Sequence, residues 1–143
     1  MTDIKIDEQG QNLEEVFSGD LCTVEIFDNI YEIYLKGINT GWIVKTYKNS
    51  RYATIEVENL KKISCISGTP KLLTFRIGKD FSYVVLSQAN GVDLREYIDQ
   101  SGLFSETEVK PVVKRILEIL SNIHKVGVIH HDIKPENVVY DPK

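Results

Sequence analysis

Seven aliphatic residues, Val109, Val112, Val113, Ile116, Leu117, Leu120 and Ile123, recur at three- and four-residue intervals late in this chain. A stripe with that period buries itself only as a helix. Ser105-Glu106-Thr107-Glu108 supplies a cap-like start, and Gly127 stops the helix soon after Lys125. The residues before it obey a different rule. Leu21 to Phe27, Ile30 to Lys36 and Trp42 to Tyr47 are rich in β-branched and aromatic side chains, and Lys71 to Arg76 and Phe81 to Leu86 read as two further strands. Asp28-Asn29 is a two-residue hairpin turn, and the glycine-bounded stretch Gly37 to Gly41 suggests a second. A helix over about Arg51 to Ser64, capped by Asn49 or Ser50, interrupts the strands, with Ile55, Asn59, Leu60 and Ile63 along one side. Ser67-Gly68-Thr69-Pro70 breaks it, and a brief helix runs from Asp93 to about Gly102. Strands with one helix, followed by helices, make an α+β arrangement.

At 143 residues the chain is long enough to bury a real core. A net charge of -4 argues against nucleic acid or an anionic membrane as a major partner, because both attract basic surfaces. The start, Met1-Thr2-Asp3-Ile4-Lys5-Ile6-Asp7-Glu8, is too polar for a signal peptide, and no apolar run reaches membrane-spanning length. Cys22 and Cys65 fit no metal-ligand spacing and read as free, mostly buried thiols of a reducing compartment. These features fit a soluble intracellular protein, cytoplasmic with the nucleus also open.

The chemistry concentrates near the end. Asp132 is followed by Lys134 two residues later and by Asn137 five residues later, on a short loop between apolar segments. An aspartate can accept the proton of an attacking hydroxyl, a lysine can neutralise a phosphoryl group in transfer, and an asparagine oxygen can hold a metal ion. The whole run, Ile129-His130-His131-Asp132-Ile133-Lys134-Pro135-Glu136-Asn137-Val138-Val139, resembles the catalytic loop of eukaryotic-type serine/threonine protein kinases. His131 stands where that family usually has Arg, and Lys134 matches the serine/threonine-specific pattern. The resemblance implies a small lobe of antiparallel sheet plus one helix over residues 13–86, a hinge at 87–92, and at 93–143 the first helices and catalytic loop of a large lobe, after a flexible 1–12.

Carried residue by residue, the resemblance makes Asp132 and Lys134 the catalytic pair and Asn137 a magnesium ligand. Lys45, at the end of Trp42-Ile43-Val44-Lys45, becomes the strand lysine that contacts the nucleotide's inner phosphates, with Glu56 as its helix partner. In isolation Lys45 reads as a lysine snorkelling off a sheet edge. Lys36 is the alternative, at the more usual separation of 20 residues from Glu56, against 11 for Lys45. Lys45 is preferred because it puts Ile43 rather than Tyr34 beside the base. Leu86 would back the adenine pocket, the backbone of Ser87 to Ala89 would bond the adenine edge, and Asp93 would accept from ribose. Asp93 reads equally as a helix cap. Phosphate-covering loops use glycines so that backbone amides can approach closely. Of two alignments, Phe17 to Val24 keeps only Gly19 and the Asp28-Asn29 turn keeps none, which implies weak nucleotide binding. Adjacent His130 and His131 lack a third spaced metal ligand. His130 is a structural residue behind the loop by resemblance, and His124 a helix-end residue.

The expected function is therefore transfer of ATP phosphate, with magnesium, to protein serine or threonine. The family's second metal-binding Asp and activation segment would lie beyond Lys143, so this chain alone is expected to turn over poorly. The alternative is a naturally truncated homologue that binds and regulates other kinases. Partners are a protein substrate or another kinase domain, with self-association through the Val109–Ile123 stripe.

Overall fold

The computed structural model describes residues 20–142. They fall into two compact units. One takes the chain up to Lys61 together with Pro70–Gln88, and the other takes Lys62–Thr69 with the chain from Ala89 onward. The stretch after the first helix thus groups with the second unit rather than with the helix before it and the strand after it.

The first unit is an antiparallel sheet of β1 (Leu21–Phe27), β2 (Ile30–Leu35), β3 (Ile38–Tyr47), β4 (Leu72–Arg76) and β5 (Ser82–Ser87), in the spatial order β1-β2-β3-β5-β4. Asn29 takes the left-handed conformation at the first turn, which asparagine tolerates. The second hairpin differs from its sequence reading. Its turn is the dipeptide Lys36-Gly37, both at positive φ, and β3 begins at Ile38 rather than Trp42. Two successive left-handed residues give the turn whose twist matches a hairpin. A lysine there is uncommon, which is why the sequence points to the glycines instead.

Register fixes which side chains share a face, because directly opposed residues in an antiparallel pair project the same way. Ile43 pairs with Leu86 and Lys45 with Val84, so these four share one face. The other face carries Ile33, Val44, Tyr83 and Val85, all wholly buried, with Leu21, Tyr31 and Trp42 packed on them. Each such aliphatic side chain contributes about 1.5–3 kcal/mol when removed from water.

Helix α1 (Ser50–Lys62) follows β3 and buries Ala53, Val57 and Leu60, at spacings of four and three. Leu60 and Ile63 are buried as expected and Asn59 is half-buried, but Ile55 is 45% exposed and Ala53 and Val57 complete the buried side instead. The apolar character of Ile55 outweighed that of Ala53 in the pattern, whereas a small residue lets the helix backbone approach more closely.

In the second unit β6 (Val92–Asp93) pairs with β7 (Val139–Tyr140), and α2 (Leu94–Ser101) and α3 (Glu106–Lys125) lie between them in sequence. A reciprocal capping box starts α3, where Ser105 and Glu108 each bind the other's backbone N–H. The bond from Ser105 holds the Glu108 carboxyl below its ordinary range. The apolar stripe divides: Ile123 is buried and Val112, Ile116 and Leu120 are half-buried, while Val113 and Leu117 are exposed. Both thiols are free, but Cys65 is exposed and Cys22 only half-buried, unlike the buried pair expected. Cys65 lies just past the end of α1, beyond the helix's buried side. Among the described residues no helix is long and apolar enough to cross a membrane.

Candidate functional site

In the first unit β3 carries Lys45 on the Ile43–Leu86 face, and its ammonium meets the Glu56 carboxylate of α1 at 2.8 Å. The side chains are 30% and 23% exposed, so the pair is partly withdrawn from water and shared with it. Lys36 is held in the exposed β2–β3 turn by its left-handed backbone, and Glu58 is exposed on α1. Of the two lysines weighed, Lys45 is the one that meets Glu56.

The end of β5 is pinned by its neighbours. The Ser87 N–H donates to the Lys71 carbonyl and the Gln88 N–H to the Gly41 carbonyl, each at 2.8 Å. The Ser87 hydroxyl accepts from the Lys71 N–H. Gln88, named in the sequence only for its backbone, donates its side-chain amide to Glu32 at 2.6 Å, and the Tyr34 hydroxyl donates to the same carboxylate. That bond to Glu32, with some burial, raises the Tyr34 pKa. Leu86 is buried. In the second unit Ala89 is exposed, and Asp93 caps α2 by accepting the Glu96 N–H at 2.8 Å.

The run after α3 forms the second constellation. Val128 is buried and anchors its start; residues 129–137 are exposed. Pro135–Asn137 make one 3-10 turn, begun by a proline that needs no N–H partner there. The turn brings Asn137 back onto Asp132, whose carbonyl and carboxylate both accept from Nδ2 at 2.9 Å. Lys134 Nζ reaches the same carboxylate at 3.2 Å. The lysine, and after it the Asn137 amide, hold the Asp132 carboxyl below the usual carboxylate range. Asp132 is therefore held as a carboxylate, an acceptor that can orient a hydroxyl donor. His131 sits at φ 66, a strained region for a residue with a side chain, of the kind that collects at functional loops. His130 differs from expectation: it is exposed, and its Nδ1 accepts the Asp132 N–H at 3.3 Å.

The donor set suits a hard, small cation better than a soft one. With Nδ2 committed to Asp132, Asn137 offers its amide oxygen, and among the described residues no cluster of three or more His, Cys, Asp or Glu can hold a metal. Few protein oxygens with water and phosphate completing the shell is how magnesium is usually held. The β1–β2 turn is Asp28-Asn29, with no glycine, while the alternative stretch begins at Phe17, Ser18 and Gly19, outside the described residues.

Comparison with known proteins bears on the family and the fold. A family model described as the protein kinase domain matches residues 28–143. A probable serine/threonine-protein kinase of Dictyostelium discoideum, fhkD, is 39% identical over 95 residues, 64% of this chain and 12% of its own. The probable serine/threonine-protein kinase 2 of Plasmodium falciparum is 28% identical over 128 residues, 90% of this chain and 24% of its own. The chain thus spans a small part of the curated relatives it matches. Among solved structures, the kinase PK-1 of Cydia pomonella granulovirus superposes with a TM-score of 0.72 at 20% identity, over 86% of this chain and 46% of that one. That likeness shows the fold.

Proposed function

The chain belongs to the protein kinase domain family, and from that premise we propose that it serves transfer of the terminal phosphoryl group of ATP to a serine or threonine hydroxyl of a protein, inside the cell. The observation that carries this reading is the convergence of Lys134 and Asn137 on an ionised Asp132. Asp132 orients the attacking hydroxyl and receives its proton. Lys134 places positive charge where the phosphoryl group carries negative charge in flight. Asn137 holds the loop closed through Nδ2, and its Oδ1 would hold a magnesium ion, whose charge would neutralise phosphate oxygens when bound. In the first unit Lys45, held by Glu56, is assigned to the inner phosphates and Leu86 and Ser87 to the adenine; Ala89 and Asp93 of the second unit are assigned to adenine and ribose by the family resemblance alone. The Glu96 N–H occupies only Oδ1 of Asp93.

A second reading, a homologue that binds and regulates another kinase domain, draws support from the glycine-free Asp28-Asn29 turn, since backbone amides approach phosphates closely where glycine allows it. Transfer of labelled phosphate from ATP, assayed in the natural gene product with magnesium, separates the two. Asp132→Asn is expected to cut transfer by about 10²–10⁴-fold, the usual cost of losing a general base. Transfer unchanged in Asp132→Asn rejects the assignment; binding to a kinase domain with no transfer in the parent favours the regulator.

A further inference from the structure

We infer that Gly91 is a positioning residue for the Asp132 loop, acting through β7; this rests on the role proposed for that loop. The loop's exit is held by a two-residue ribbon in which Val92 pairs with Tyr140 and Asp93 with Val139. The Leu94 N–H extends it, donating to the Val138 carbonyl at 2.9 Å, one residue past Asn137. Arg95 faces Glu136 of the 3-10 turn at 3.6 Å. The distance from ribbon to Asp132 cluster is therefore a single residue of chain, and a shift of β7 moves Asn137 with it.

Gly91 opens that ribbon under two independent constraints. Its φ is 111°, which side-chain-bearing residues avoid, and a Cβ built on it would stand 2.2 Å from the Tyr140 carbonyl oxygen and 2.8 Å from its carbon. The obstacle is backbone, which cannot swing aside as a side-chain tip can. From the other side the Tyr140 ring is fixed edge-on to Tyr97 and Phe104, at centroid distances of 4.9 and 5.5 Å. A residue larger than glycine must push β7 against that aromatic cluster or open the ribbon. Gly102 and Gly127 also have positive φ, yet a Cβ at either meets nothing within 4 Å. Close approach singles out Gly91 among these three.

The test reads the loop by NMR and needs no nucleotide or substrate, so its failure is distinct from failure of phosphoryl transfer. Exchange of the Asn137 side-chain amide protons with water is measured in the parent, Gly91→Ala and Gly102→Ala, each relative to the Ile123 backbone amide. Two lost bonds to Asp132 correspond to about tenfold or more in exchange. Gly91→Ala is expected to show that acceleration and Gly102→Ala to show none. An unchanged Asn137 signal in folded Gly91→Ala, or equal acceleration in both variants, overturns the inference. Should Gly91→Ala not fold, Tyr140→Leu loosens β7 from its aromatic side and decides the matter: acceleration supports the role, and parent-like exchange overturns it.

Discussion

Neutralising Lys45 tests how the first unit is organised. Its ammonium lies 2.8 Å from Glu56, with 30% of one side chain and 23% of the other exposed. Fully exposed pairs contribute about 0–1 kcal/mol, whereas breaking a buried pair by removing one partner costs roughly 3–5 kcal/mol. This pair lies between those limits, since water still reaches both groups and screens them. A coupling energy of about 1–2 kcal/mol is expected. Urea unfolding of Lys45→Met, Glu56→Gln and the double variant closes the cycle. Lys36→Met serves as the reference, because an exposed turn lysine changes stability by about 0.5 kcal/mol or less. A coupling between Lys45 and Glu56 that is indistinguishable from zero, or a larger one between Lys36 and Glu56, refutes the pairing.

Two further outcomes follow from packing and capping. Ile33→Ala, at a wholly buried position, is expected to cost about 2–5 kcal/mol in urea unfolding, and Ile55→Ala, 45% exposed, much less. Equal losses would contradict the assigned faces. The Glu108 carboxyl, held low by Ser105, stabilises the start of α3 above the ordinary glutamate range and ceases to as pH falls through its depressed folded value. Circular dichroism should show Ser105→Ala, at a cost of about 1 kcal/mol, removing most of that acid-side dependence; an unaltered acid profile in the variant would contradict the cap.

Strands, helices and the Asp132 loop were legible because each was written locally. The stripe from Val109 to Ile123 fixes a period, and Asp132, Lys134 and Asn137 lie within one turn-forming segment, so their sequence spacing nearly determines their distance. The sequence prefers Lys45 to Lys36 for the side chain it puts beside the base, although Lys36 has the more usual spacing to Glu56; the ion pair at 2.8 Å, with Lys36 held in the left-handed turn, gives the physical reason for that preference. On α1 the sequence points to Leu60 and Ile63 but puts Ile55 where Ala53 and Val57 are buried, because the value of Ala53 is its smallness. Gly91 was invisible for a related reason: its constraint is a carbonyl 49 residues away in the chain.

The central claim gives each unit a role of its own: Lys45 contacts nucleotide phosphates, and Asn137 binds magnesium. It is tested most directly by titrating the isotopically labelled protein with ATP, with and without magnesium, while following the Lys45 and Asn137 side-chain signals. The account expects weak, saturable binding that shifts both signals, with the Asn137 response requiring magnesium, and marked loss of affinity in Lys45→Met but not Lys36→Met. Nucleotide binding that leaves both signals unmoved, or that survives Lys45→Met intact, would contradict it.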